Sequence, residues 1–384
     1  MSTVTKQKPL VPELRFSGFD GEWKVSSLGQ ESIFHDEKRI PLKQADREKR
    51  DGEYRYYGAS GVIDQIDDYL FDGEYVLLGE DGANITDRSS RLAFLVSGKF
   101  WVNNHAHVIE AKGSTYFLAE YLESLKYDKY NTGTAQPKLN GAICKKIPVI
   151  IPELDEQKKI ADFIGSVDAW LDNLRGQKTA LQSYKQGMMQ KLFSGQVRFK
   201  DEGGKSFPDW NHKQLGEIED AGDIKLGRGE VISKIDIANN PGDYPIYSSS
   251  VKNNGLFGVY GNHLFDEELI TWSVDGGGHF FYRPKHKFSV TNVSGWMRIV
   301  SPDICTKFFM YQLQFQHAKL VFDYQTKAHP SVIRGMYTMA LPTLKEQQKI
   351  ADFLTALDQT ITAKADEITK VEEWKKGLMQ KMFV

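Results

Sequence analysis

The chain has 384 residues with 40% hydrophobic and 26% charged side chains, and its formal net charge at pH 7 is −2. This composition is typical of a soluble globular protein with two or three domains, and the small net charge argues against a protein that coats nucleic acid without sequence preference. Two cysteines, Cys144 and Cys305, are too few for a disulfide framework, which indicates a reducing cytoplasm, and no apolar run reaches the ~18 residues of a membrane helix.

Residues 1–150 predict a mixed α+β domain. Short alternating runs such as Tyr75–Leu78 and Phe94–Val96 predict strands between Gly, Asn and Asp turns, and residues 116–126 predict a helix. Six basic residues and two acidic ones lie between Lys38 and Arg50, which is enough local positive charge to contact phosphates. A solvated polar turn or helix face is the alternative interpretation of these charges.

Residues 151–195 predict a long helix that starts after Pro152. Its apolar residues recur in alternating steps of four and three, which is the a/d pattern of a coiled coil, and Lys178 and Lys185 interrupt it. The residues that we predict to pair this helix with another are Ile160, Ile164, Val167, Leu171, Leu174 and Leu181.

Residues 196–340 predict a second α+β domain, which echoes the first. Short motifs recur in the same order, and the matched pairs are Leu70–Glu74 with Leu264–Glu268, Asp81-Gly82 with Asp275-Gly276, and Ala135-Gln136-Pro137 with Ala328-His329-Pro330. Such self-similarity indicates that the molecule consists of two equivalent halves.

Residues 341–384 predict a second long helix that repeats the first. Without a gap, Leu341–Phe383 matches Ile151–Phe193 at 17 of 43 positions, concentrated at the two ends. Lys364 and Lys375 interrupt its apolar stripe. The predicted helix-pairing residues here are Ile350, Leu354, Leu357, Ile361, Ile368 and Val371.

The two helices are expected to pair in antiparallel orientation. A helix of about 38 residues is ~57 Å long, so a small globular core cannot cover its stripe, and the simplest burial is one stripe against the other. A parallel pair would need a return connection of the same length, whereas an antiparallel pair needs only short connections. The predicted fold class is therefore α+β, with two globular domains separated by two long antiparallel helices in an intramolecular coiled coil.

With these features, the chain resembles the specificity subunit of type I restriction–modification systems. The resemblance rests on three repeated elements: E-Q-x-K-I-A-D-F and K-x-G-x-M-Q-K-x-F at the two ends of each helix, Arg-Phe followed by Trp and Leu-Gly at the start of each domain, and A-x-P before each helix. These elements cover essentially the whole chain, and their double occurrence in this order is specific.

The resemblance implies two target-recognition domains, each of which binds one half of a bipartite double-stranded DNA target. The antiparallel helices would set the unread spacer. It also implies two methylation subunits as partners, with restriction subunits in the full complex, and a prokaryotic cytoplasmic location. The chain itself would have no catalytic activity and bind no cofactor, because S-adenosylmethionine, ATP and Mg would be bound by the partner subunits.

The candidate DNA-contacting residues are loop positions that mix aromatic, hydroxyl, amide and basic groups. Arg suits guanine, Asn and Gln suit adenine, and Ser, Thr and Lys suit phosphate or either base. A half-buried packing or turn role is the alternative for any one of them. The candidates are Lys43, Arg47, Arg50, Tyr54, Arg55, Tyr57, Asn84, Arg88, Arg91, Asn104, Thr134, Gln136, Lys138, Ser248, Ser249, Ser250, Asp275, Gly277, His279, Asn292, Thr326, Lys327 and His329.

Two other classes of protein, a self-contained nuclease and a coiled-coil adaptor, are alternative interpretations of the sequence. A self-contained nuclease is suggested only by Pro208-Asp209 followed by Asp223-Ile224-Lys225, a loose pattern that arises often by chance. A coiled-coil adaptor without DNA binding would use the same scaffold for other ligands. The adaptor predicts no salt-dependent DNA affinity, and the enzyme predicts activity from the purified chain alone.

Overall fold

The computed structural model describes residues 10–133, 136–275, 277–320 and 327–384. The chain divides into two compact units: unit 1 is Met1–Arg175 with Asp366–Val384, and unit 2 is Gly176–Ala365. The boundary between the units falls within both long helices, because each globular part packs on segments of both helices. The predicted globular domains, by contrast, end where the helices begin. No helix in the described ranges has a stretch long and apolar enough to cross a membrane.

Unit 1 contains a six-stranded sheet with the order β2-β7-β5-β6-β3-β4 and a two-stranded antiparallel sheet of β1 and β8. Its strands and helices are β1 (Lys24–Ser27), α1 (Leu28–Glu31), β2 (Ser32–Phe34), α2 (Gln44–Arg47), β3 (Tyr54–Gly58), β4 (Gly61–Ile66), β5 (Phe71–Gly79), α3 (Asn84–Asp87), β6 (Ala93–Val102), β7 (Ala106–Ala111), α4 (Thr115–Ser124), α5 (Gly141–Cys144), β8 (Pro148–Ile151) and the first part of α6 (Leu154–Phe193).

Unit 2 contains a six-stranded sheet with the order β10-β15-β13-β14-β11-β12 and a two-stranded sheet of β16 and β9. Its elements after α6 are β9 (Asn211–Gln214), α7 (Leu215–Asp220), β10 (Ile224–Arg228), α8 (Lys234–Asn239), β11 (Tyr244–Tyr247), β12 (Leu256–Tyr260), β13 (Phe265–Ser273), β14 (Phe280–Val290), β15 (Ser294–Ile299), α9 (Thr306–His317), α10 (Pro330–Met336), β16 (Thr338–Leu341) and α11 (Leu344–Met382).

The two six-stranded sheets have the same topology. Strand for strand, β2-β7-β5-β6-β3-β4 corresponds to β10-β15-β13-β14-β11-β12, and in each sheet a single described strand pair is parallel, β3 with β6 and β11 with β14. The register also repeats: Phe71 lies opposite Phe100, and Phe265 lies opposite Phe288. The recurrence of short motifs in the sequence therefore reflects a repeated α+β fold, as predicted.

One face of each sheet packs on a helix. In unit 1, Val76 and Leu78 of β5 share a core with Phe117 of α4. In unit 2, Trp272 of β13 shares a core with Phe308 of α9. Alternate strand residues face these helices because side chains on a strand point to opposite faces of the sheet in turn.

Segments of the two long helices run antiparallel within each unit. In unit 1, Val167, Leu171 and Leu174 of α6 form a cluster with Ile368 and Val371 of α11. In unit 2, Lys185 of α6 pairs with Asp358 of α11 at 2.6 Å, and Leu192 shares a core with Ile350. Residue numbers rise along one helix as they fall along the other, which confirms the predicted orientation.

Other stripe residues have a second function, which is to attach the helices to the globular parts. Ile160 and Ile164 belong to the core of unit 1 that also contains Phe117, and Ile350 and Leu354 belong to the core of unit 2. Leu357 lies at the edge of the unit 2 core, whereas Leu181 and Ile361 are only half-buried.

The repeated helix starts are explained by two equivalent ion pairs. Arg15 Nε and Nη2 donate to Glu156 at 2.7 and 2.8 Å, and Arg198 Nε and Nη2 donate to Glu346 at 3.0 and 2.7 Å. Glu156 and Glu346 are 2% and 0% exposed. Each Arg-Phe segment is thus joined to its helix by a bidentate, charge-assisted pair.

The glutamine after each of these glutamates joins the helix to the globular domain. Gln157 Oε1 accepts from the backbone N–H of Ser114, and Ser114 in turn caps α4. Gln347 Oε1 accepts from the backbone N–H of Cys305, the residue before α9. The repeated Glu-Gln pair therefore fixes each domain on its own helix.

Two of the lysines that interrupt the apolar stripes, Lys375 and Lys185, form a second pair of equivalent networks. Lys375 Nζ lies 2.6 Å from Asp168 and 3.1 Å from Glu120, and Tyr116 also donates to Asp168. Lys185 pairs with Asp358, which accepts a 2.6 Å hydrogen bond from Tyr311. Burial, followed by the hydrogen bond to the neighbouring carboxylate, raises the pKa of each tyrosine, so both phenols are protonated donors.

Lys375→Met is expected to lower the free energy of unfolding of unit 1 by about 3 kcal/mol, because it removes the cation between half-buried Asp168 and buried Glu120, of which only Glu120 keeps another cation, Arg91. The lysine side chain is 12% exposed, so solvent screens this pair only in part. Urea unfolding followed by circular dichroism measures the effect. Lys376→Met, on the exposed side of the same helix, is the control, and equal stability of the two variants would contradict the role of Lys375.

Candidate nucleic-acid interface

In unit 1, three loops meet at one end of the six-stranded sheet, and we call residues 80–84, 103–105 and 136–139 loop edge 1. The backbone N–H of Gly82 donates to Pro137 O at 3.0 Å, and that of Glu80 donates to His105 O at 2.8 Å. The Asp-Gly turn after β5 therefore joins the segment of residues 136–139 to the turn between β6 and β7.

Loop edge 2 is the equivalent surface of unit 2, formed by residues 274–275, 277–279, 291–293 and 327–329. The backbone N–H of Val274 donates to Val293 O at 3.0 Å, and that of Ala328 donates to Val274 O at 3.0 Å. Trp272 Nε1 also donates to Ala328 O, at 2.7 Å. The short motifs that recur in the sequence thus meet in space in both units.

Several predicted DNA-contacting residues lie on the loop edges. Asn104, Gln136 and Lys138 are exposed on loop edge 1, and Asn84 is half-buried there. Loop edge 2 holds Asp275, Gly277, His279, Asn292, Lys327 and His329. Thr134 and Thr326 fall outside the described residues.

The cations of the loop edges are partly neutralised. Lys138 Nζ lies 3.2 Å from Glu80, and Lys327 Nζ lies 3.0 Å from Asp275. Both lysine side chains remain about half exposed or more, at 48% and 64%. Exposed pairs of this kind are weak and can be exchanged for a phosphate contact.

A second group of predicted residues lies on the outer hairpin of unit 1. Arg47 pairs with Asp64 at 2.9 Å and lies over the ring of Tyr56, whereas Arg50 pairs with Asp67 at 2.7 Å. Tyr54 and Arg55 lie on β3, Lys43 directly precedes α2, and Lys43 and Arg55 are exposed. Ser248, Ser249 and Ser250 lie on the connection between β11 and β12.

Three other predicted residues make packing contacts or ion pairs within unit 1. Tyr57 is 7% exposed and packs on Phe100, because both faces of β3 are covered: Tyr57 and Tyr56 belong to two different buried clusters. Arg88 pairs with Glu123 at 2.8 Å, and Arg91 pairs with Glu120, both on α4. These arginines fasten the segment after α3 to the helix.

Sequence reasoning missed the charged group that supports loop edge 1. His107 is 1% exposed, and its ring contacts Asp36 at 2.7 Å and the carbonyl of Leu139 at 2.9 Å. Burial alone lowers the pKa of His107, but the hydrogen bond with Asp36 and further polar contacts raise it to about 10. The imidazole is therefore protonated at neutral pH, and it donates to both oxygens.

His107→Gln is expected to cost unit 1 about 3 kcal/mol at pH 7, because Asp36 and Leu139 lose a charged donor. Since the folded-state pKa is raised from 6.5 to about 10, this stabilisation is fully present below pH 6.5 and is lost as the pH rises through about 10. Urea unfolding of both proteins at pH 7 and pH 10.5 tests this. A difference between them that does not shrink at the higher pH would contradict the ion pair.

The comparisons with known proteins place the chain in one family. A model of the family described as type I restriction modification DNA specificity domain matches residues 20–183 and 208–373. A candidate type I specificity subunit of Mycoplasma pneumoniae is 29% identical over 221 residues, which are 56% of this chain and 84% of that protein. The specificity subunit of the type I restriction enzyme MpnII, from the same organism, is 34% identical over 145 residues, 37% of this chain and 43% of that protein.

A solved structure shares the fold. The S subunit of a type I restriction–modification system from M. genitalium aligns over 97% of this chain and 99% of that one, with a TM-score of 0.65 and 16% sequence identity. Since the family match includes both halves of the chain, this protein belongs to the type I restriction–modification DNA specificity family, whose role is DNA sequence specificity.

Proposed function

We propose that the chain recognises a bipartite double-stranded DNA target, with one half-site bound by loop edge 1 and the other by loop edge 2. The observation that carries this proposal is a contrast between the two units. Their topology and their Arg–Glu helix attachments are the same, whereas their loop edges present different side chains, for example Gln136 on loop edge 1 where loop edge 2 has His329. Two domains of the same fold whose loop edges carry different side chains are suited to binding two different half-sites.

The two long helices are proposed to set the unread spacer. They have 40 and 39 residues, which is ~60 Å of helix at 1.5 Å per residue. The antiparallel contacts fix one register, because Lys185 and Lys375 each pair with a carboxylate of the opposite helix. Inserting or deleting helical residues is therefore expected to change the spacer and leave both half-sites unchanged.

The chain is proposed to act with partner subunits rather than alone. Two methylation subunits would modify adenines in the target, and restriction subunits would join the full complex. S-adenosylmethionine, ATP and Mg would be bound by those partners, and this chain would supply only the choice of sequence. A cytoplasmic location in a prokaryote follows from this role.

Selection from a random duplex pool by the full chain with its methylation subunit tests the proposal. The expected product is a pair of short sequence blocks separated by a gap of fixed length. Enrichment of one block, or of none, would contradict the bipartite target. Binding that does not weaken with salt would favour the adaptor, and cleavage or methylation by the chain alone would favour the self-contained enzyme.

A further inference from the structure

Unit 2 contains a fully buried arginine that has no acidic partner in the part of the chain that the structure describes. Arg283 on β14 is 1% exposed, and its Nε donates to Thr271 Oγ1 at 3.0 Å. Its Nη1 and Nη2 have no hydrogen-bond partner among the described residues, and no described acid forms an ion pair with it. Burying a cation without a counter-charge lowers the stability of the fold, so packing alone does not explain Arg283.

Aromatic rings hold the guanidinium in place. Arg283 Cζ lies 3.7 Å from the ring centre of Tyr247 and 4.8 Å from that of Phe281. Burial lowers the pKa of Arg283 to about 10, so the group stays charged at neutral pH. Stacking fixes the plane of the guanidinium and leaves both Nη groups free for an acceptor pair.

The surrounding sheet face is polar in unit 2 and apolar in unit 1. By strand register, Arg283, Thr271, Ser273 and Ser294 correspond to Val96, Leu77, Gly79 and Ala106. Val96, Leu77 and Ala106 belong to one apolar cluster, whereas the hydroxyls of Ser273 and Ser294 are buried without a hydrogen-bond partner among the described residues. The fold therefore does not require an arginine here.

A loop found only in unit 2 lies at the guanidinium. The connection between β11 and β12 spans residues 248–255, whereas the equivalent β3–β4 connection in unit 1 has only residues 59–60. A Cβ built on Gly255 would lie 3.1 Å from Arg283 Nη2. The hydrogen bonds described for residues 248–255 stay within the loop or join it to Leu256, so the loop can move without breaking bonds to the sheet.

We propose that Arg283 is an oxyanion site of the phosphate class, which opens when the 248–255 loop moves and then binds a phosphodiester of the second half-site. A phosphate is favoured over a neutral base edge because the guanidinium has no counter-charge among the described residues, and a bidentate phosphate supplies both charge and acceptors. The exposed Lys252, Asn253 and Asn254 on the same loop would contact the DNA beside that phosphate. The statement that this phosphate belongs to DNA rests on the proposed function, whereas the existence of the oxyanion site does not.

Arg283→Met in the full chain tests the site. The variant is expected to melt at a higher temperature, to bind target duplex about 10-fold more weakly, and to lower the salt dependence of binding by about one counterion. Replacing single phosphates of the second half-site by neutral methylphosphonates should weaken the wild type at one position and leave the variant unaffected there. Arg298→Met, which breaks an exposed pair with Glu267, and Val96→Met in unit 1 are the matched controls.

Melting temperatures measured with inorganic phosphate at constant ionic strength distinguish the two sources of the bound phosphate, which are DNA and free phosphate. If it raises the melting temperature of the wild type but not of Arg283→Met, and DNA affinity is equal, the site binds free phosphate. A lower melting temperature for Arg283→Met, with unchanged response to phosphate and DNA, would overturn the site and make Arg283 a structural cation. Failure of the wild type to bind any duplex would count against the proposed function, and the phosphate measurement would still decide the site.

Discussion

Glu346→Gln is expected to lower the free energy of unfolding of unit 2 by about 3–4 kcal/mol. Glu346 is 0% exposed, accepts two hydrogen bonds from Arg198, and accepts a third from Trp210 Nε1 at 3.1 Å. The amide keeps the shape but removes the charge that balances Arg198, and its NH2 group faces donors.

Hydrogen exchange measured by mass spectrometry shows where this loss acts. Faster exchange is expected in β9 and β16 of unit 2, with the strands of unit 1 unchanged. Glu156→Gln should give the converse pattern, since Glu156 makes the same bidentate pair with Arg15. Glu373→Gln, exposed on α11, is the control. A loss below ~0.5 kcal/mol for Glu346→Gln would contradict the attachment.

Asn104→Ala is expected to relax base preference in one half of the target only, and Asn292→Ala in the other half. The two asparagines are exposed at equivalent turns, β6–β7 and β14–β15. An amide that bonds an adenine contributes about 1–3 kcal/mol of discrimination, which corresponds to roughly a 10- to 100-fold change for the affected base pair.

Selection from a random duplex pool measures this effect position by position. Each variant should lose sequence information at one or two positions of a single block, with the other block and the gap unchanged. Asn211→Ala, exposed on the separate two-stranded sheet, should leave both blocks intact. Relaxed preference in both halves from one substitution would contradict the assignment of one half-site to each loop edge.

The helices could be predicted well from the sequence because their signals are local and repeated. The predicted segments 151–195 and 341–384 contain α6 (Leu154–Phe193) and α11 (Leu344–Met382). The interrupting lysines could be located but not interpreted, since the partners of Lys185 and Lys375 lie 173 and 207 positions away in the chain.

The candidate site was harder to predict because exposure depends on contacts between distant residues. Arg88 and Arg91 look like free cations in the sequence, but α4 places Glu123 and Glu120 beside them. The burial of Tyr57 was not predicted because both faces of β3 are covered, one by the cluster of Phe100 and the other by that of Trp101. Arg283 could have been found by aligning the two halves strand by strand, which sets it against Val96.

The central claim is that each unit reads one half of a split target for a methylating complex. The most direct measurement is the methylome of cells that express this chain with its methylation subunit, compared with cells that lack this chain and with cells in which residues 20–147 are replaced by those of a relative. The account predicts a two-part methyladenine motif with a fixed gap, absent without the chain and changed in one half only by the replacement. An unchanged methylome in either comparison would contradict it.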